Sequence, residues 1–130
     1  MSFRQIAVAA PFALLSAVLL LVGCAPKEAQ RQLTYQADIR PILEKNCFEC
    51  HLAGGQGYEK SGFLMDSYEH FMKGTKFGPV IHPGSSVSSS LYRLVAGKAD
   101  PSIRMPHGKN PLSEKDIETI KTWIDQGAKN

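Results

Sequence analysis

Two cysteines three residues apart, Cys47 and Cys50, are followed at once by His51 in the run Cys47-Phe48-Glu49-Cys50-His51. Two thiols and an imidazole at this spacing fit the attachment pattern of a c-type haem. Each thiol can add across one vinyl group, and the next residue then sits beneath the iron, where a ring nitrogen can serve as proximal ligand. On a helical turn, residues three and four apart share a face, so all three side chains can reach one flat group. Two other chemistries use a Cys-x-x-Cys pair, half of a zinc site and a thioredoxin-like redox pair. A zinc site wants a second ligand pair, and no cysteine lies downstream, while His70, His82 and His107 are scattered. A redox pair has no need of His51, and its flanks do not read as strand followed by helix.

Haem iron with one histidine needs a second ligand or keeps an open face. The candidates are Met65, Met72, Met105, His70, His82 and His107. Met105 is favoured, because it lies far from the attachment motif on a loop before the last helix, and Pro106 stiffens that loop. A thioether suits iron in both oxidation states. Met65 and Met72 are explained by packing among aromatic neighbours. His107, two residues beyond Met105, is the rival, and an open site is the other alternative. Arg104, Tyr92 and Trp123 are the candidates for propionate contacts.

The N-terminus reads as an export signal. Arg4 supplies a positive start, and residues 6–22 form an apolar run broken only by Pro11 and Ser16. No charged stop-transfer pattern follows directly. The run ends Leu21-Val22-Gly23-Cys24, which resembles the bacterial lipoprotein signal box, in which the cysteine is acylated and becomes the mature N-terminus. An ordinary secretory peptide and an uncleaved anchor are the alternatives. The chain has three cysteines. With Cys24 lipidated and Cys47 and Cys50 on haem, none is left for a disulfide. Ala25 stands where some lipoproteins retained at the inner membrane carry aspartate, which favours the outer membrane. Residues 1–23 are thus expected to be signal, 24–33 a polar tether and 34–130 one domain. Removing Arg4 takes the formal charge from +3 to +2. That balance argues for neither nucleic acid nor a strongly charged partner.

Four helices are expected to position these groups. The first spans residues 34–46, capped by Thr34, with Ile39, Ile42 and Leu43 inward and Pro41 as a complication. Gly54, Gly55 and Gly57 are read as a flexible turn. A second, brief helix is capped by Asp66 or Ser67 and ends at Gly74, and a third is capped by Ser88 or Ser89 and closes at Gly97. The last begins at Ser113-Glu114-Lys115-Asp116, close to a capping box, and ends at Gly127. Residues 78–90 and 100–111 are expected to be loop.

The ordered set of these residues resembles class I cytochromes c, and more narrowly the planctomycete-type cytochrome c domains. It comprises Ile39-Arg40-Pro41-Ile42-Leu43, the Cys47 to His51 motif, Leu64-Met65-Asp66, Gly74, Pro83-Gly84 with Ser89 and Ser90, Arg104-Met105-Pro106, Pro111-Leu112-Ser113, and Trp123-Ile124 with Gly127-Ala128. The resemblance covers nearly all of residues 35–128. It implies an all-α fold around one covalent haem c, with thioethers at Cys47 and Cys50, His51 proximal and Met105 distal. His107 departs from the pattern, which often has proline or a small residue there. The expected function is that of a membrane-anchored monohaem electron carrier, not an enzyme, working between extracytoplasmic redox proteins. A haem-based sensor with an exchangeable distal ligand is the alternative, and a catalytic haem protein ranks last.

Overall fold

Thr34 starts the first helix as its side chain allows, with its hydroxyl accepting from the Ala37 N–H. In the computed structural model, which describes residues 30–130, this helix winds in two ways. Tyr35–Ile39 is a π turn, in which the Arg40 N–H reaches back to the Tyr35 carbonyl, and Arg40–Asn46 (α1) is α-helical. Pro41 explains the change. It has no N–H to donate and its ring would crowd the carbonyl four residues back. The wider π turn accommodates it at the second position of α1.

Short helices follow: Phe48–His51 (α2), Gln56–Ser61 (α3), Tyr68–Lys73 (α4) and Ser90–Val95 (α5), then a 3-10 turn over Pro101–Ile103 and the long Glu114–Asp125 (α6). The described residues form no strand; an isolated bridge between Thr75 and Gly78 closes a turn. None of the described helices is long and apolar enough to cross a membrane. Ser67 caps α4 by accepting from the His70 N–H, and Ser113 caps α6 by accepting from the Asp116 N–H. Ser89 precedes α5, but its hydroxyl is used elsewhere, donating to the Ser85 carbonyl and accepting from the His82 N–H.

Two expectations need correction. Of the three glycines expected in a flexible turn only Gly54 lies in one, because Gly55 is the N-cap of α3 and Gly57 lies within that helix. The four expected helices form, but α2, α3 and the 3-10 turn add to them. The described part of the polar tether is also docked. The Leu33 N–H donates to Gln126 Oε1, and the Gln126 amide donates to the Arg31 carbonyl. Cys24 and the export signal lie outside the described residues.

The core joins the two ends of the domain. Tyr35, Phe71 and Trp123 are fully buried with ring centroids 5.4–6.3 Å apart, in the tilted arrangements that aromatic rings prefer. The Lys129 carbonyl accepts from both the Tyr35 N–H (2.9 Å) and Trp123 Nε1 (2.7 Å). It lies there because α6 ends in a Schellman motif: Ala128 N–H returns to the Trp123 carbonyl, Gly127 N–H to that of Ile124, and Gly127 takes a φ of 99°. The long loop before α5 is fixed to α6 as well. Gly84 N–H donates to the Ile124 carbonyl, and the Asp125 carboxylate accepts from both the backbone N–H and hydroxyl of the buried Ser86.

Removing that carboxylate strands a buried donor, so Asp125→Ala should cost about 1–3 kcal/mol at neutral pH. Partial burial pushes the Asp125 carboxyl up, but hydrogen bonds from Ser86 and Lys121 outweigh this and hold it below its ordinary value. A carboxylate depressed in the folded state contributes stability that is fully present above the unfolded pKa, about 3.9, and lost as pH falls through the folded one. Denaturant melts of both proteins should therefore converge on acidification below about pH 4.

Candidate functional site

α1 delivers the chain to Cys47, whose N–H still closes onto the Leu43 carbonyl, and α2 then turns so that Cys50 and His51 N–H groups both return to the Cys47 carbonyl. Cys47, Cys50 and His51 thereby line one cleft of about 430 Å³. That volume lies in the range of about 300–1,000 Å³ common for cofactor sites. Its ground is apolar: Phe63, Met65, Val80, Leu91, Leu94 and Val95. Met105 lines the same cleft from a distant stretch of chain, with its N–H on the Leu94 carbonyl at 3.3 Å. The Met105–Pro106 peptide is cis.

His51 is held in a defined state. Its Nδ1 lies 3.2 Å from the Phe63 carbonyl. A carbonyl only accepts, so Nδ1 carries the proton and Nε2 keeps a free lone pair. Burial lowers the His51 pKa, against a smaller opposing effect of the Phe63 bond. The ring is thus neutral at neutral pH, the form a metal ligand requires. Phe63 also meets the ring edge-on at 5.5 Å. On a further side stands Gly57: a Cβ there would be 2.8 Å from both Cε1 and Nε2 of His51. Gly55 is equally constrained, since its Cβ would lie 2.5 Å from the Cys50 carbonyl oxygen. These glycines serve close approach rather than flexibility.

Cys47 is not poised as an attacking thiol. Burial pushes the Cys47 thiol up to about 11, whereas an attacking thiol needs a depressed pKa. A zinc site also lacks its ligands, because the described residues include no group of three or more His, Cys, Asp or Glu that could hold a metal ion. Among the distal candidates, His70 is exposed and paired with Asp66 at 2.6 Å. His82 is exposed, Met72 packs on the core, and neither lines the cleft. Met65 lines it but is buried in the core, with its N–H on the His51 carbonyl. Met105 is half-buried and His107 exposed, and both line the cleft. Of the candidates for propionate contacts, Trp123 and Tyr92 lie in the core rather than in the cleft, and Arg104 lines an adjoining concavity that shares Ser102, Pro106, His107 and Lys109 with the cleft.

Sequence reasoning missed Gly57 against the ring, the Phe63 carbonyl behind it, and an ion pair between Glu49 and Lys109 beside the cleft. The glycine spacing after His51 held a signal for the first. Backbone partners and ion pairs between distant residues leave none.

A flat iron porphyrin fits this arrangement: paired thiols, an imidazole with a free Nε2, an apolar floor and a thioether from a distant loop. Such a combination of groups is what a haem-binding protein needs. Residues 47–107 match the family model described as Planctomycete cytochrome C, a stretch that opens on Cys47 and includes Met105. That stretch is therefore similar to a planctomycete-type cytochrome c domain, a family that implies covalently bound haem c and haem-based electron transfer. No curated protein and no solved structure matched the chain.

Gly57→Ala should displace the His51 ring and lower the yield of covalently haem-loaded protein or change its absorption spectrum. Gly54→Ala is the contrast, because a Cβ there meets nothing within 4 Å although φ is +83°. It should cost about 1 kcal/mol of backbone strain in a denaturant melt and leave the spectrum unchanged.

Proposed function

We propose that this protein is a monohaem c-type electron carrier with a class I cytochrome c-like fold, held at an extracytoplasmic membrane surface by acyl chains on Cys24. In this reading Cys47 and Cys50 form the thioethers, His51 is the proximal ligand and Met105 the distal one. The observation that carries it is the convergence of these four side chains on one apolar cleft, with His51 fixed as a neutral Nε2 donor by the Phe63 carbonyl. The haem supplies a one-electron ferric–ferrous couple.

The chain's part is to hold, orient and shield. Phe63 and Gly57 define the His51 ring plane, so little rearrangement accompanies a change of charge at the metal. Val80, Leu91, Leu94 and Val95 keep water from the cleft, and this burial with thioether ligation favours the less charged, reduced state. With His51 and Met105 both holding the iron, no place would be left for substrate, which argues for transfer rather than catalysis. The partners would be extracytoplasmic redox proteins, and the anchor would keep the carrier concentrated near them. A sensor with an exchangeable distal ligand is the second reading. It is favoured by the exposed His107, two residues from Met105 at the same cleft.

The purified protein, made with a c-haem maturation system, should give a c-type spectrum when reduced and a weak far-red thioether band when oxidised. It should also give one reversible one-electron titration. Met105→Ala should lose the far-red band and bind carbon monoxide when reduced, whereas His107→Ala should do neither. A far-red band that survives Met105→Ala removes Met105 as ligand, and rapid carbon monoxide binding by the unmodified protein favours the sensor.

A further inference from the structure

Four ion pairs and the His70–Asp66 hydrogen bond join the described residues, and four of these five contacts link positions four or seven apart. The fifth, Glu49 with Lys109, spans sixty. Glu49 lies between the two cysteines of the attachment motif, and Lys109 stands four residues beyond Met105. The pair thus joins the proximal segment directly to the stretch that carries the distal methionine.

That stretch has few other fastenings. Residues 106–112 make no main-chain hydrogen bond to the rest of the described protein, and their side chains make none besides that of Lys109 to Glu49. Upstream, the Met105 N–H rests on Leu94 at 3.3 Å; downstream, Leu112 is buried in the core. Lys109 itself lines the cleft together with Met105, Pro106 and His107.

We propose that Glu49 and Lys109 are positioning residues for Met105, forming a latch that holds the distal loop closed against the attachment helix. This inference rests on Met105 being the distal ligand. Broken, the latch leaves the loop held only at its ends, and Met105 yields more readily to a competing small ligand. Both side chains are substantially exposed, at 77% for Glu49 and 40% for Lys109. The effect is therefore modest and sensitive to salt.

The test is a titration of the oxidised, haem-loaded protein with imidazole, followed by loss of the far-red band. Glu49→Gln and Lys109→Gln should each bind imidazole about two- to fivefold more tightly than the unmodified protein. The double variant should gain no more than either alone, because the residues act as one unit. The exchanged pair, Glu49→Lys with Lys109→Glu, should return toward the original affinity. High salt should weaken the latch in the unmodified protein alone, bringing it up to the variants. General loosening would show instead as additive, salt-insensitive changes that follow the denaturant midpoint. Unchanged imidazole affinity in both single variants, or additive effects in the double one, overturns the latch. An unmodified protein without a far-red band overturns the Met105 reading itself, and the latch with it.

Discussion

The bond from His51 Nδ1 to the Phe63 carbonyl is the contact on which the rest of the site depends. It fixes a proton on one side of the ring and leaves the other nitrogen able to bind metal. A solvent-exposed histidine would exchange tautomers and take up a proton near its ordinary pKa. Here burial favours the neutral ring, and one backbone acceptor selects which neutral form exists. The acceptor must be in place before any ligand arrives. That requires Phe63 to be held by the fold, and the neighbouring Met65 N–H on the His51 carbonyl binds the two segments a second time.

Phe63 is held from behind by the aromatic core. Its ring stacks on Phe71 at 5.4 Å, and Phe71 packs on Tyr35 and Trp123. Those two converge on the Lys129 carbonyl, so both ends of the described domain support the ring that supports His51. This gives physical meaning to the helices outside the matched residues 47–107. α1 and α6 contribute nothing to the cleft beyond Asn46 at the very end of α1, yet they bury the platform on which the proximal side is built. In a domain this small the core has little apolar surface to spare, and a large ring system seated in the cleft would extend it.

Much of this was legible in the sequence because its signals are local. Thr34, Ser67 and Ser113 announce helix starts, Gly74 and Gly127 announce ends, and the inward positions of α6 follow a helical period. The attachment motif is likewise contiguous. What was not legible depends on through-space partners. Glycines at 54, 55 and 57 look alike in sequence, yet Gly54 faces open space while Gly55 and Gly57 face backbone and imidazole. Gly57 weakens the helix propensity of α3, and the crowding against His51 explains why a glycine stands there all the same. Pro41 read as an interruption because a π turn, which absorbs it, has no sequence signature of its own. Trp123 and Tyr92 suggested polar contacts at the cofactor, but each is placed in the core by the face of its helix.

The two sides of the cleft differ in how firmly they are made, and this difference bears on function. On the proximal side a hydrogen bond, an edge-on ring and two glycines without room for a side chain converge on His51. On the distal side a loop rich in proline and glycine carries Met105, with one long backbone bond and one exposed ion pair near it. A carrier, as proposed, needs small geometric change between oxidation states, and the packing around His51 would supply that rigidity by excluding alternatives. In the proposed reading the distal side can be softer, because a thioether would tolerate both states of the metal. The same softness is what a ligand-exchanging protein would exploit, with His107 at hand. Carrier and sensor therefore share one proximal design, and the choice between them rests on how tightly residues 104–109 are held.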